Sequence, residues 1–182
     1  MKPKSTGKNI KMTTAIAIRN ILPGDDHALA TIIRKSLEEF GAAKPGTVYF
    51  DPTTDHLFEV FKKTGSAYFV IHNEREVLGG GGFYPTANLP AETCELVKLY
   101  IAPSARGQGL GKLLMQKCET SASAAGYRFM YLETMPELKI AVPLYKKMGY
   151  HYLEAPLGNS GHGGCDIWMG KQLTGEGEVN GQ

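Results

Sequence analysis

Between a strand-like run and a helix-like run the chain reads Arg106-Gly107-Gln108-Gly109-Leu110-Gly111-Lys112. A helix start carries unpaired N–H groups and the positive end of the helix dipole, so a glycine-rich turn placed there suits a phosphate. Three glycine signatures compete for this segment. A Walker A loop needs glycine five places before Gly111 and Ser or Thr after the lysine; Arg106 and Leu113 stand there, and the pattern fails. A dinucleotide GxGxxG starting at Gly107 needs a sixth-position glycine where Lys112 stands, and also fails. What fits is R-x-x-G-x-G: Arg106, Gly109, Gly111.

Two more places hold residues with chemistry in them. Glu95 lies in the apolar run CELVKLYI (94–101), where strict alternation puts it on a face with Val97, Leu99 and Ile101. A carboxylate there is costly without a task or a partner, and the same surroundings raise its pKa toward that of a useful base. A strand-end reach to solvent or a lysine is the plainer alternative. The second place is GNSGHGGCD (158–166). His162 has the side chain best matched to acid–base work at neutral pH. His162 and Cys165 together are too few ligands for a zinc site, and Cys165 reads as a small buried residue.

The elements that must position these groups follow from periodicity. Residues 14–20 alternate as a first strand. Leu29, Ile32, Ile33, Leu37 and Phe40 make a helical stripe over about 25–40, after acidic caps Asp25 and Asp26 and before Gly41. Residues 42–54 read as loop and 55–63 as a short helix. Residues 67–72 and 77–84 form a hairpin around Asn73-Glu74-Arg75, the second strand holding four glycines that mark a bulge or a close backbone approach. The run 94–101 is apolar on both faces and therefore central. A helix near 110–125, a strand at 128–133, a helix at 138–148 and strands at 150–154 and 165–171 complete the chain. The order β-α-α-β-β-β-α-β-α-β-β gives a mixed α/β fold: a mixed sheet, one parallel crossover at 94–133, and helices on both faces.

Composition sets the outer bounds. The 182 residues fit a single domain over 13–173, flanked by a solvated basic arm at 1–12 and a polar tail at 174–182. The longest apolar runs are near AYFVI (67–71), far short of a bilayer span. A net charge of +2 is too mild for nucleic acid. Three cysteines without CxxC give no disulfide framework and fit a reducing, cytoplasmic setting. Glycine is the outlying count, 22 residues, half of them in the clusters 79–82, 107–111 and 158–164 discussed above.

The turn at 106–111 on its strand–turn–helix, with ELVKLYI before it and LYKKMGY after the next strand, resembles the GNAT superfamily of N-acetyltransferases; the likeness spans roughly 68–153. The resemblance implies a mostly antiparallel six- to seven-stranded sheet whose central parallel pair splays apart to hold the pantetheine arm of acetyl-CoA. It implies that the backbones of Leu99, Tyr100 and Ile101 line that arm. The amides of Gly107, Gln108, Gly109, Leu110, Gly111 and Lys112 would hold the pyrophosphate, with Arg106 and Lys112 adding charge. Tyr145, the tyrosine of LYKKMGY, becomes the acid that protonates the departing thiolate, and Glu95 the base, with His162 the alternative. Pro143 in that helix requires a start near Ile140 or a kink. Glu38, Glu39 and Asp51 fall where the family often builds the acceptor wall, so Glu39, Asp51 and His162 are the substrate candidates. No metal is needed. The expected activity is direct transfer of acetyl from acetyl-CoA to the amine of a small molecule or amino acid. A peptide acetyltransferase and a non-catalytic acyl-CoA-binding module are the alternatives, and the resemblance admits a homodimer.

Overall fold

The computed structural model describes residues 15–173, so the arm at 1–12 and the tail at 174–182 lie outside the described residues. One seven-stranded sheet runs through the molecule in the order β1-β2-β3-β4-β5-β7-β6. Its strands are β1 (Ala17–Asn20), β2 (Ala67–His72), β3 (Val77–Tyr84), β4 (Thr93–Ile101), β5 (Phe129–Thr134), β6 (His151–Tyr152) and β7 (Ile167–Gln172). The helices are α1 (Asp26–Glu39), α2 (Leu57–Val60), α3 (Leu110–Ala124) and α4 (Ala141–Lys147). Every pairing is antiparallel except β4 with β5, which α3 connects. Among the described residues no helix is long and apolar enough to cross a membrane.

Each face of the sheet is covered. Leu29, Ile33 and Leu37 of α1 join Tyr68 and Val70 of β2 in one cluster. Leu110, Leu114 and Cys118 of α3 join Phe69, Ile71 and Leu96 in the other, and Tyr145 of α4 packs into that same layer. The stripe read from the sequence is therefore the buried face of α1, and Gly41 ends that helix at φ +67°. Asp25 does not cap it with its side chain. Its carboxylate instead takes two bonds from Arg19, at 2.6 and 2.8 Å, and one from the Leu22 N–H.

Three elements are shorter than their sequence patterns. The helix expected at 55–63 is a 3-10 turn, Pro52–Asp55, followed by one turn of α2. The helix expected at 138–148 begins at Ala141, which puts Pro143 in its first turn, where no hydrogen bond is lost. The strand expected at 150–154 keeps only two paired residues.

The glycines of β3 work by close approach. A Cβ on Gly80 would lie 2.6 Å from the Tyr68 ring and 2.8 Å from Leu29, and one on Gly82 would lie 2.3 Å from the Ala67 carbonyl oxygen. Bare backbone lets Tyr68 and α1 rest directly on the strand.

A bulge in β4 corrects the face assignment made from alternation. Gly80 pairs with Tyr100 and Gly82 with Val97, so one residue of β3 faces two of β4, Lys98 and Leu99. Lys98 takes φ +51°, and its carbonyl accepts a 2.9 Å bond from the Tyr68 hydroxyl. Past the bulge the sides exchange. Leu99 and Ile101 turn to the α3 layer, while Val97 and Tyr100 belong to the α1 layer.

Candidate active site

The two central strands separate almost as soon as they meet. β4 and β5 pair only over Thr93–Phe129, Cys94–Met130 and Glu95–Tyr131, after which β5 pairs with β7 alone. A cavity of about 460 Å³ fills the gap. Leu99, Tyr100 and Ile101 line one wall, Glu133, Thr134 and Met135 the other, and the starts of α3 and α4 close the sides.

At its mouth lies the glycine turn. Gly107 and Gly109 have φ +76° and +75°, the left-handed region, and a Cβ at either would meet nothing within 4 Å. The backbone angle, rather than space, requires glycine there. Gly109 precedes the first residue of α3 with no side chain over the free N–H groups. Gly107, Gly109, Leu110, Gly111 and Lys112 all line the cavity, whereas Gln108 does not. An anionic group would meet amides, the helix dipole and Lys112.

Arg106 also lines this cavity, with its guanidinium engaged by the protein. Its Nη1 donates to both oxygens of Glu39 at 2.8 and 2.9 Å, its Nη2 to Ser36 at 3.1 Å and its Nε to the Ile101 carbonyl at 3.0 Å. The guanidinium also lies 5.1 Å over the Phe40 ring. It ties the turn to the end of α1. Glu39 is thereby committed to Arg106 and lines neither cavity, so it stands apart from the other substrate candidates.

Tyr145 lines the inner part of the first cavity, 7% exposed. Its hydroxyl has no hydrogen-bond partner among the described residues, and burial pushes its pKa up to about 12. It is a protonated donor with no acceptor among the described residues. Cys165 lines the same cavity, its thiol also kept neutral by burial, at about 12.

Glu95 is the one carboxylate shared by this cavity and a second one of about 600 Å³. It is 3% exposed, and the Thr86 hydroxyl donates to its Oε2 at 2.5 Å. Burial raises its pKa to about 7, helped by the negative charge of Glu133 and opposed by Thr86, His162 and Lys98. A carboxyl poised near neutral pH suits a general base.

Sequence reasoning missed Glu133. It sits two residues beyond Tyr131, the register partner of Glu95, and accepts from the Tyr131 hydroxyl at 2.8 Å and the Ser160 hydroxyl at 2.6 Å. The period-two pattern of 128–133 could have put it beside Glu95 had the pairing been known.

The second cavity is walled by the 42–54 loop, the end of β3 and the 158–162 segment. Asp51 and His162 both line it, and they touch, Nε2 to Oδ2 at 3.2 Å. Asp51 also binds Lys98 at 2.7 Å. The glycine segment that carries His162 is held from several sides: Asn159 bridges to Ala87, Ser160 to Glu133, and the Gly164 N–H to the Gly46 carbonyl. It closes over the junction of the two cavities. Among the described residues no group of three potential ligands could hold a metal ion.

A mostly apolar slot with an anion-binding mouth thus meets a polar pocket at a neutral-pH carboxylate and a protonated phenol. That arrangement suits transfer of a group from a long phosphorylated carrier to a second molecule. Comparison with known proteins agrees. The acetyltransferase (GNAT) family model matches residues 29–150. The chain is 37% identical over 157 residues to the uncharacterised N-acetyltransferase YjgM of Escherichia coli K12, covering 86% of this chain and 94% of that protein. It is 29% identical over 137 residues to the uncharacterised N-acetyltransferase C1271.07c of Schizosaccharomyces pombe, covering 73% and 80%. Among solved structures, an acetyltransferase of the GNAT family from Staphylococcus aureus Mu50 superposes with a TM-score of 0.78 at 17% identity, covering 88% of this chain and all of that one.

Proposed function

This chain belongs to the GNAT family of acetyltransferases and is an acetyl-CoA-dependent acyltransferase; from that premise we propose that it acetylates the primary amine of a small molecule or amino acid by direct attack, with Glu95 as base and Tyr145 as acid. One observation carries the reading. Glu95, with its raised proton affinity, lines both cavities.

The first cavity is the donor's. Its open strand edges, the turn at 107–112 and Lys112 suit a pantetheine arm ending in a pyrophosphate. Among solved relatives, a phosphinothricin acetyltransferase from Sinorhizobium meliloti was crystallised with its acetyl-CoA, at a TM-score of 0.69 and 20% identity. The second cavity is the acceptor's. A free alkylammonium has a pKa near ~10.4 and must lose a proton before it can attack. Glu95 takes that proton, the amine nitrogen bonds to the thioester carbon, the carbon–sulfur bond breaks, the departing thiolate takes the Tyr145 proton, and the second proton that the nitrogen sheds on becoming an amide restores the phenol. The fastened segment at 158–164 supports a closed pocket and a small acceptor over an open peptide groove.

Calorimetric titration with acetyl-CoA beside ATP and NADH tests the donor site. One acetyl-CoA per chain and no heat from the others is the expected result; no heat from acetyl-CoA would end the reading. A mass-spectrometric screen of small amines against peptides then tests the acceptor. Tyr145→Phe is expected to lower kcat by about 10²-fold, the low end for acid–base catalysis, with acetyl-CoA affinity kept. Unchanged turnover across the pH range would remove Tyr145 as the acid.

A further inference from the structure

The polar groups around the second cavity leave open valences of one sign at one place and the opposite sign beside it. Asp51, an acid expected to attract a cationic substrate, has none to spare. Its Oδ1 accepts from the Thr53 N–H at 2.8 Å and the Thr53 hydroxyl at 2.7 Å. Its Oδ2 takes Lys98 at 2.7 Å and His162 at 3.2 Å.

Lys98 is the reverse case. Its side chain is 6% exposed and lies at the junction of both cavities. An ammonium has three N–H donors. One goes to Asp51 and one, at 3.4 Å, to Thr54; the third has no partner among the described residues. At the rim, Lys63 has no carboxylate partner among the described residues and lies 5.1 Å over the Tyr84 ring. On the anionic side Glu95 and Asp51 are the carboxylates that line the second cavity, and of the two Glu95 has capacity left, Oε2 accepting from Thr86. Glu95 and Lys98 lie three residues apart on the same strand, on either side of the bulge onset.

We infer that the acceptor is an α-amino acid, whose amine faces Glu95 while its carboxylate takes the free N–H of Lys98. The inference rests on the second cavity being the acceptor site. The two anchors are neighbours, which matches an amine and a carboxylate on one carbon. The bulge at Lys98 is what sets both on the same side of β4, and Lys63 adds a second positive charge where the substrate enters. The wall formed by Val60, Phe61, Tyr84 and Pro85 remains for an apolar side chain. A polyamine would bring a second cation to a pocket whose remaining polar capacity is cationic.

Matched pairs test this in the full chain with acetyl-CoA, by release of the CoA thiol: phenylalanine against 2-phenylethylamine, leucine against 3-methylbutylamine, and each amino acid against its amide. All twenty amino acids are run in parallel, beside calorimetry with acetyl-CoA. A site built to bond a substrate group rejects the analogue lacking it, so kcat/KM for the amino acid should exceed that of its partner by about 10²-fold. In Lys98→Met combined with Asp51→Asn, which removes both buried charges together, that ratio should fall toward one. If the variant does not fold, the wild-type ratios decide. Equal turnover within pairs, preference for the amines, or acetyl-CoA binding with none of the twenty acetylated would each overturn the inference and leave the donor reading standing. Failure to bind acetyl-CoA would overturn the proposed function, and the inference with it.

Discussion

Replacing Glu95 by glutamine should lower kcat by about 10³-fold, within the span of general base catalysis, while acetyl-CoA still binds. The wild-type profile of kcat/KM should rise with pH through about 7, as the buried carboxyl gives up its proton. In the variant that ascending limb should vanish. Survival of the limb would pass the role of base to another group, with His162 the next to test. The same substitution has a second signature of opposite sign. The folded state holds the Glu95 proton up to about pH 7, whereas the unfolded chain releases it near its ordinary 4.5. Between those values the native state binds more protons, so stability falls as pH rises, and the loss is complete above 7. Glutamine does not ionise. The variant should therefore melt at a higher temperature than wild type at pH 8 and show little difference at pH 4. A residue kept only for packing would not couple lost rate to gained stability in this way.

Asp51→Ala should be the most damaging single change to the fold among the site residues. Burial alone would raise the proton affinity of Asp51; the bonds from His162 and Lys98 outweigh it and hold the carboxyl well below the usual range. Burial also lowers the proton affinity of Lys98, and Asp51 opposes that. Removing the aspartate strands a charged ammonium in the interior. Breaking one side of such a pair costs about 3–5 kcal/mol. In a domain of this size that is a fall of about 6–20 °C in Tm. Thermal melts at pH 7 check it, and a fall under 2 °C would mean that Lys98 finds water or another partner. The double neutral variant, Lys98→Met with Asp51→Asn, should recover most of the loss, because both charges of the pair are removed together.

Legibility in the sequence divides along range of interaction. The glycine turn could be read because its requirement is local: Gly107 and Gly109 need left-handed backbone angles, and the helix that follows begins at the next residues. The order of elements was equally local, set by the stripe of α1 and the alternation of β2. Glu95 stood out as a charge inside an apolar strand. Its face did not, because the bulge at Lys98 depends on the glycine run in β3 opposite it, and alternation inside one strand carries no sign of that. The same holds for the partners. Arg106 meets Glu39 across 67 residues, Lys98 meets Asp51 across 47, and His162 meets Asp51 across 111. Each of these contacts decides whether a charge is available to substrate, and each appears only once the chain has folded.

The three-residue pairing of β4 with β5 makes the middle of this sheet a seam. A central strand pair is ordinarily the last part of a sheet to open. Here residues 17–101 build one half-sheet and residues 129–172 the other, and along the seam they share few backbone bonds. The core packed under α3 spans both halves, and on the other side of the seam loops fasten them: Ala87 to Asn159, Gly46 to Gly164, Asp51 to His162 and Lys44 to Glu137. On the proposed reading the donor enters a joint rather than a pit. A molecule lodged in that joint would complete the sheet from within, held between the α3 core and clasps made by residues of the proposed acceptor pocket.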